Sequence, residues 1–288
     1  MNYVLENVKL IDSKEKNGFC KASGINVKQA RIGLHYFEEP CISGISGSGT
    51  IFFSGCNLRC RFCQNYKISH EGKGEDITIE ELADKMLMLQ NEGANNINFV
   101  TGFMYIPHII ESIKLAKKNG LLIPIVYNSS GYESVQAIKL LEGFVDIYLP
   151  DFKYYYDELG EKLSNVKDYK EIAIKSIKEM LRQQPNNIYD ENGIMKEGVI
   201  IRHLVLPNHI QNSKQILKLI KNTFGKNVYV SIMAQYFPCY KALELEDINR
   251  KLTEKEFNDI EDFVCNLGLK NGYIQYLEDN EEKYVPNF

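Results

Sequence analysis

The strongest constraint on the fold is a rhythm. Between residues 50 and 266, short apolar β-rich runs alternate six times with longer stretches of helical periodicity. The runs are 50–54 (TIFFS), 96–101 (NINFVT), 123–127, 145–149 (VDIYL), 199–206 (VIIRHLVL) and 228–234 (VYVSIMA). Leu82, Met86 and Leu89 predict a helix over 79–91, and Ile109, Ile113 and Ala116 one over 106–118. Further helices are expected over 134–141, 168–183, 213–223 and 254–266, the last opened by Thr253 as N-cap. Such alternation calls for an α/β protein with parallel strands and helical crossovers. A doubly wound open sheet and a partial or complete β/α barrel both satisfy it, and periodicity does not choose between them. Both bind ligands at the C-terminal ends of strands, so chemistry is expected at 55–64, 102–105, 128–131, 151–153, 207–209 and 235–238.

The chain of 288 residues suits one domain: a cap over 1–49, a core over 50–238, and a helix and acidic tail over 239–288. Lys plus Arg number 34 against 38 Asp plus Glu, and a net charge of −4 is too mild to point to nucleic acid or an anionic membrane. No apolar run approaches the roughly 18 residues of a membrane span, and the start of the chain lacks a signal-peptide pattern, so a cytoplasmic location is expected.

Seven cysteines in a reducing compartment do not form a disulfide framework, and an odd number fits one less well still. Cys56, Cys60 and Cys63 fall within eight residues, in a loop that follows the first run: SGCNLRCRFCQN. Thiolates at these spacings can wrap one metal centre, and three of them would leave one iron of a [4Fe–4S] cluster open to an exogenous ligand. Three other readings compete. The spacing i, i+4, i+7 is one face of a helix, although a loop with Gly55, Asn57 and two arginines argues against it. Structural zinc would need His70 or Cys41 as fourth ligand. A plain electron carrier would need a remote fourth cysteine.

The motif CNLRCRFC, with Phe62 at its aromatic position and a strand before it, resembles that of the radical S-adenosylmethionine superfamily. More closely, the chain resembles uncharacterised homologues of the pyruvate formate-lyase activating enzyme. That similarity runs through EEPCISGISGSGTIFFSGCNLRCRFCQN, IPIVYNSSGYE, IYLPDFKY, IIRHLVLPNH and MAQY. The resemblance implies a partial (β/α)6 barrel and a [4Fe–4S] cluster on Cys56, Cys60 and Cys63. It further implies S-adenosylmethionine as cofactor, and a one-electron donor of the flavodoxin or ferredoxin kind. The substrate it implies is a glycyl radical enzyme, another polypeptide or a small metabolite.

Cofactor contacts are expected from Phe62 and from the strand ends. Asp151 and Lys153, two apart in an extended segment, can reach one ligand, and the resemblance places such a pair near the cofactor's methionine part; an exposed ion pair is the plain alternative. Arg202, mid-strand, is expected to meet a carboxylate: the cofactor's by resemblance, or a structural partner's. His203 then faces the other way. Ser231 and Gln235 lie on the polar face of the last run. Asn128 and Ser129 stand where activating enzymes carry a monovalent-cation site. The superfamily's Gly-Gly-Glu is absent; Val100-Thr101-Gly102-Phe103 replaces it, which leaves carbonyls near Thr101 and Gly102 to accept from the cofactor amine. The glycine-rich stretch 44–49 reads as a turn under the barrel, since it lacks the Lys-Ser/Thr ending of a phosphate loop. Glu38, Glu39 and Cys41 belong to the resemblance without a known role. Cys20, Cys41, Cys239 and Cys265 are expected to be bystanders.

Overall fold

The computed structural model describes residues 26–275, so Cys20 and the acidic tail lie outside the described residues. Its strands are β1 (Val27–His35), β2 (Ser48–Phe53), β3 (Glu75–Ile77), β4 (Ile97–Val100), β5 (Ile125–Ser129), β6 (Ile147–Pro150), β7 (Ile188–Tyr189), β8 (Met195–Leu204), β9 (Tyr229–Met233) and β10 (Gly272–Gln275). The sheet runs β10-β9-β8-β6-β5-β4-β2-β1-β3, with β7 paired to β8. Strands β2, β4, β5, β6, β8 and β9 are parallel and correspond to the six runs. The sheet does not close on itself, and the architecture is the partial (β/α)6 barrel.

Local chemistry accounts for the crossovers. The helix Ile79–Asn91 opens with a capping box, in which Thr78 and Glu81 satisfy each other's backbone N–H groups. It buries Leu82, Met86 and Leu89 against the sheet, each contributing on the order of 2 kcal/mol by area. Helix Glu254–Leu267 repeats the device with Thr253 and Glu256. Helices Ile106–Lys118, Val135–Leu140, Tyr169–Gln183 and Ile210–Phe224 fall close to the expected ranges.

The two ends of the barrel differ from the sequence reading. Part of the supposed cap is sheet: β1 pairs antiparallel with β2 and with β3. At the other edge β10 adds in parallel to β9. Helix Asp157–Ser164 was not expected either; Gly160 interrupts its apolar pattern.

After β1 the chain crosses beneath the strands. Asn96 Nδ2 donates to the Ile42 carbonyl (2.8 Å), Asn95 Nδ2 to the Ser43 carbonyl (2.6 Å), and Asn98 Nδ2 to Glu38 Oε1 (3.0 Å). The turn at 44–47 receives Asn95 N on the Gly47 carbonyl (2.9 Å). Among the described residues, no helix is long and apolar enough to cross a membrane.

Candidate functional site

A cavity of about 270 Å³ fills the lumen. Its wall takes Cys56, Cys60, Phe62 and Cys63 from the loop after β2, Thr101 after β4, and Asn128 and Ser129 from β5. Asp151, Lys153, Arg202 and Gln235 complete the set of expected residues that it brings together. Gly102 and Ser231 are not in the wall. A Cβ on Gly102 would meet Ile109 Cδ1 at 2.6 Å, on the side of the helices, and its carbonyl already accepts from Tyr105 N (2.9 Å). Ser231 is fully buried beside the Glu39 carboxyl.

The cysteine loop is held by its backbone. Arg59 N and Arg61 N donate to the Ser164 and Leu163 carbonyls (3.0 and 2.8 Å), the last carbonyls of helix Asp157–Ser164, which have no partner within the helix. Gly55, at φ +93°, donates to the Ile68 carbonyl (3.0 Å). Polar groups surround the sulfurs: Leu58 N stands 3.4 Å from Cys56 Sγ, Ser164 Oγ donates to Cys60 Sγ (2.9 Å), and Ser69 Oγ lies 3.2 Å from Cys63 Sγ. Burial pushes all three thiols up, Cys63 to about 12. Thiols in that state ionise only with a cation to hold them.

Three soft donors on one wall, with no carboxylate or imidazole among them, could hold a metal centre. Among the described residues, no three His, Cys, Asp or Glu side chains converge where a single ion could sit. Thiols spread around one cavity fit a multi-iron cluster better than one zinc ion. Of the fourth ligands zinc would need, Cys41 packs with Ile42 and Met195 away from the loop, and His70 stacks edge-on to Tyr240 (5.1 Å). Cys239 does not have the isolation expected of it: its Sγ lies 3.6 Å from the Phe62 carbonyl, close enough to Cys63 to act on its charge. It is absent from the cavity wall, unlike the other three.

Near Cys60, Lys153 Nζ pairs with Asp151 Oδ2, with the two side chains 17% and 20% exposed. Burial opposes the Lys153 charge, yet Asp151 and the Cys60 sulfur hold its pKa above the usual value. This is an ion pair within a cavity wall, not on an open surface. Tyr169 Oη fixes the segment by donating to the Ser130 carbonyl (2.8 Å) and accepting from Lys153 N (3.1 Å). Thr101 sits at φ 61°, rare for a β-branched residue, at the end of β4.

Arg202 lines the cavity, and its guanidinium meets carboxylates of this chain. It pairs with both Glu38 and Glu39, and its Nε donates to Glu39 Oε1 at 3.0 Å. Burial works against the Glu39 charge, but Arg202 outweighs it and holds the carboxyl below its ordinary range. The partners lie 163 and 164 residues upstream, too far for any local pattern to show. His203 faces outward, bonded to the Phe152 carbonyl (2.7 Å) and Ser213 Oγ (2.8 Å), and burial lowers its pKa to about 4.

Sequence reasoning missed Glu133. Its carboxyl, 2% exposed, accepts from Ser129 Oγ, Ser130 Oγ and Ser130 N behind the wall, and burial pushes it up to about 7. A Glu within SSGYE gives no periodic signal; only the turn that returns it to Ser129 reveals it. Asn57 was missed likewise: it ties the loop to the Tyr132 carbonyl (2.6 Å) and accepts from Ser130 Oγ (3.2 Å).

Comparison with known proteins agrees with this geometry. Residues 50–195 match the radical SAM superfamily. An uncharacterized protein of Methanocaldococcus jannaschii is 37% identical over 85% of this chain and 69% of its own length. The pyruvate formate-lyase-activating enzyme of Clostridium pasteurianum is 24% identical over 77% of this chain and 94% of its own. Among solved structures, a cysteine-to-serine mutant of spore photoproduct lyase superposes with a TM-score of 0.55 at 11% identity, covering 86% of this chain and 80% of that one. The FeFe-hydrogenase maturase HydG from Carboxydothermus hydrogenoformans gives 0.54 at 14% identity, over 80% and 54%. At such identities the structures share the fold alone. Membership of the matched superfamily implies a [4Fe–4S] cluster and S-adenosylmethionine. On the matched domain and the long relative together, this chain belongs to the radical SAM superfamily.

Proposed function

We propose that the protein is a radical S-adenosylmethionine enzyme of the activating-enzyme type, taking a hydrogen atom from a glycyl radical enzyme or a comparable polypeptide. The observation that carries this reading is the single lumen lined by Cys56, Cys60 and Cys63 and by the Asp151–Lys153 pair. A [4Fe–4S] cluster and S-adenosylmethionine bound there would supply reductive cleavage of the cofactor and, through it, hydrogen-atom abstraction. The chain's own part is to bind, orient and exclude water. Cys56, Cys60 and Cys63 would hold the cluster. Asp151 and Lys153 present opposite charges to the methionine end of the cofactor. Phe62, packed edge-on to Tyr236 (6.1 Å), walls the cavity from solvent. Thr101, Asn128 and Gln235 offer polar atoms along the cofactor's length.

The Ser129 hydroxyl is already engaged by Glu133 and Gly131 N, so a monovalent-cation site with Asn128 rests on the resemblance alone. The electron comes from outside, from a flavodoxin or ferredoxin-like donor. On the outer side of the loop, Arg59, Arg61 and Lys241, with Lys162 paired to Asp247, border a second depression whose lining carboxylate is Glu161, which suits an acidic donor.

Anaerobic reconstitution with iron and sulfide tests the reading. The expected result is a cluster whose signal changes on adding S-adenosylmethionine, and 5′-deoxyadenosine formed under a strong reductant. Changing any of the three loop cysteines to alanine abolishes both. A stable cluster without cleavage, or stoichiometric zinc in its place, overturns the proposal. A glycine-centred radical on a co-purified large enzyme then identifies the activating role.

A further inference from the structure

The other end of the lumen has features that cofactor binding does not explain. His35 ends β1 and Phe37 and Glu38 follow it; because β1 is antiparallel to β2, they enter the cavity from the N-terminal ends of the parallel strands. At the backbone His35 stands opposite Ser48, five residues before Phe53, and its ring reaches along the wall to Phe52.

Three rings gather here. His35 lies edge-on to Phe37 at 5.4 Å and to Phe52 at 6.3 Å, and all three line the cavity. Beside them the Glu38 carboxylate receives Asn98 Nδ2 and one Arg202 nitrogen, and an ionised carboxylate has acceptor sites beyond two. Arg202 also serves Glu39, so a single guanidinium faces two carboxyl groups. The fully buried Asn98 leaves Oδ1 without a hydrogen-bond partner. That oxygen shares its amide carbon with the nitrogen that donates to Glu38. Burial, with Arg31 and Arg202 adding to it, holds the His35 ring below its usual pKa against the pull of Glu38. Aromatic faces with an adjacent carboxylate are the chemistry that recognises organic cations.

We infer that the lumen floor formed by Glu38, His35, Phe37 and Phe52 binds a positively charged organic group, an alkylammonium or guanidinium, carried by the molecule that gives up the hydrogen atom. This deepens the function proposed above and rests on it for the identity of that molecule as substrate. Phe37 is 42% exposed, so such a group can reach the floor from solvent while the C–H bond to be broken lies further up the cavity.

The test uses the cluster-reconstituted protein, with butylammonium and butylguanidinium as probes and butanol and butyrate as controls, each followed by calorimetry. The two cations bind and the controls do not. Glu38→Gln weakens cation binding at least tenfold, and Phe37→Leu, at a half-exposed position that tolerates change, weakens it about fivefold. Affinity for S-adenosylmethionine stays within about twofold in both variants. Cations that bind no better than butanol, or no worse to Glu38→Gln, overturn the inference. So does a Glu38→Gln variant that loses S-adenosylmethionine instead, which would give the carboxylate to the cofactor amine. Cofactor cleavage is measured on the same preparations. Cleavage without cation binding overturns only the cation site, and cation binding without cleavage overturns only the function proposed above.

Discussion

Glu133 carries a pH dependence that one residue can test. Burial raises its folded pKa to about 7 from an ordinary 4.5, so between those values the folded state holds a proton that the unfolded chain has lost. Stability from this group is therefore complete below about pH 4.5 and falls as pH rises through 7, by about 1.4 kcal/mol per unit. Glu133→Gln removes that slope: urea titrations show the wild type losing stability relative to the variant from pH 5 to pH 8. A variant that loses stability in parallel with wild type refutes it. The neighbouring residues show what sequence can supply at this scale. Cys56, Cys60 and Cys63 announce themselves because their chemistry depends on local spacing. Glu133 and Asn57 do not, because their partners are assembled by a turn.

At the scale of elements, the turn after β5 controls the Asp151–Lys153 segment. Gly131 sits at φ +75°, and a Cβ there would meet the Asp151 carbonyl at 2.1 Å. Gly131→Ala is expected to cost about 2 kcal/mol or more and to shift Asp151; the melting temperature falls, and S-adenosylmethionine affinity falls with it. A fall in stability alone, with affinity intact, separates the turn from the site. The helices with clean 3.6-residue periodicity and capping residues were legible, Ile79–Asn91 and Glu254–Leu267 most clearly. Helix Asp157–Ser164 was not, since it forms by lending its last carbonyls to Arg59 and Arg61 of a distant loop. Strands β1 and β10 were missed for a related reason: each becomes a strand by pairing with an edge that the core provides.

At the scale of the whole molecule, Arg202 joins β8 to the segment that crosses beneath the barrel. Arg202→Ala leaves Glu38 and Glu39 facing each other with their cation gone, and is expected to destabilise the protein by about 3–5 kcal/mol. Denaturant unfolding checks this, and a cost below about 1 kcal/mol would show that the array is not a structural tie. The sequence by itself determined the parallel α/β alternation and the thiol triad, because both rest on periodicity and spacing over a few residues. It left the choice between open sheet and barrel to a resemblance, and it offered Arg202 either to the cofactor or to a structural partner. Only the tertiary structure decided that Arg202 meets Glu38 and Glu39, that Glu133 sits behind Ser129, and that rings from β1 and β2 meet a carboxylate at the lumen floor. These are contacts between segments far apart in the chain, brought together by the curvature of the sheet, and no local pattern encodes them.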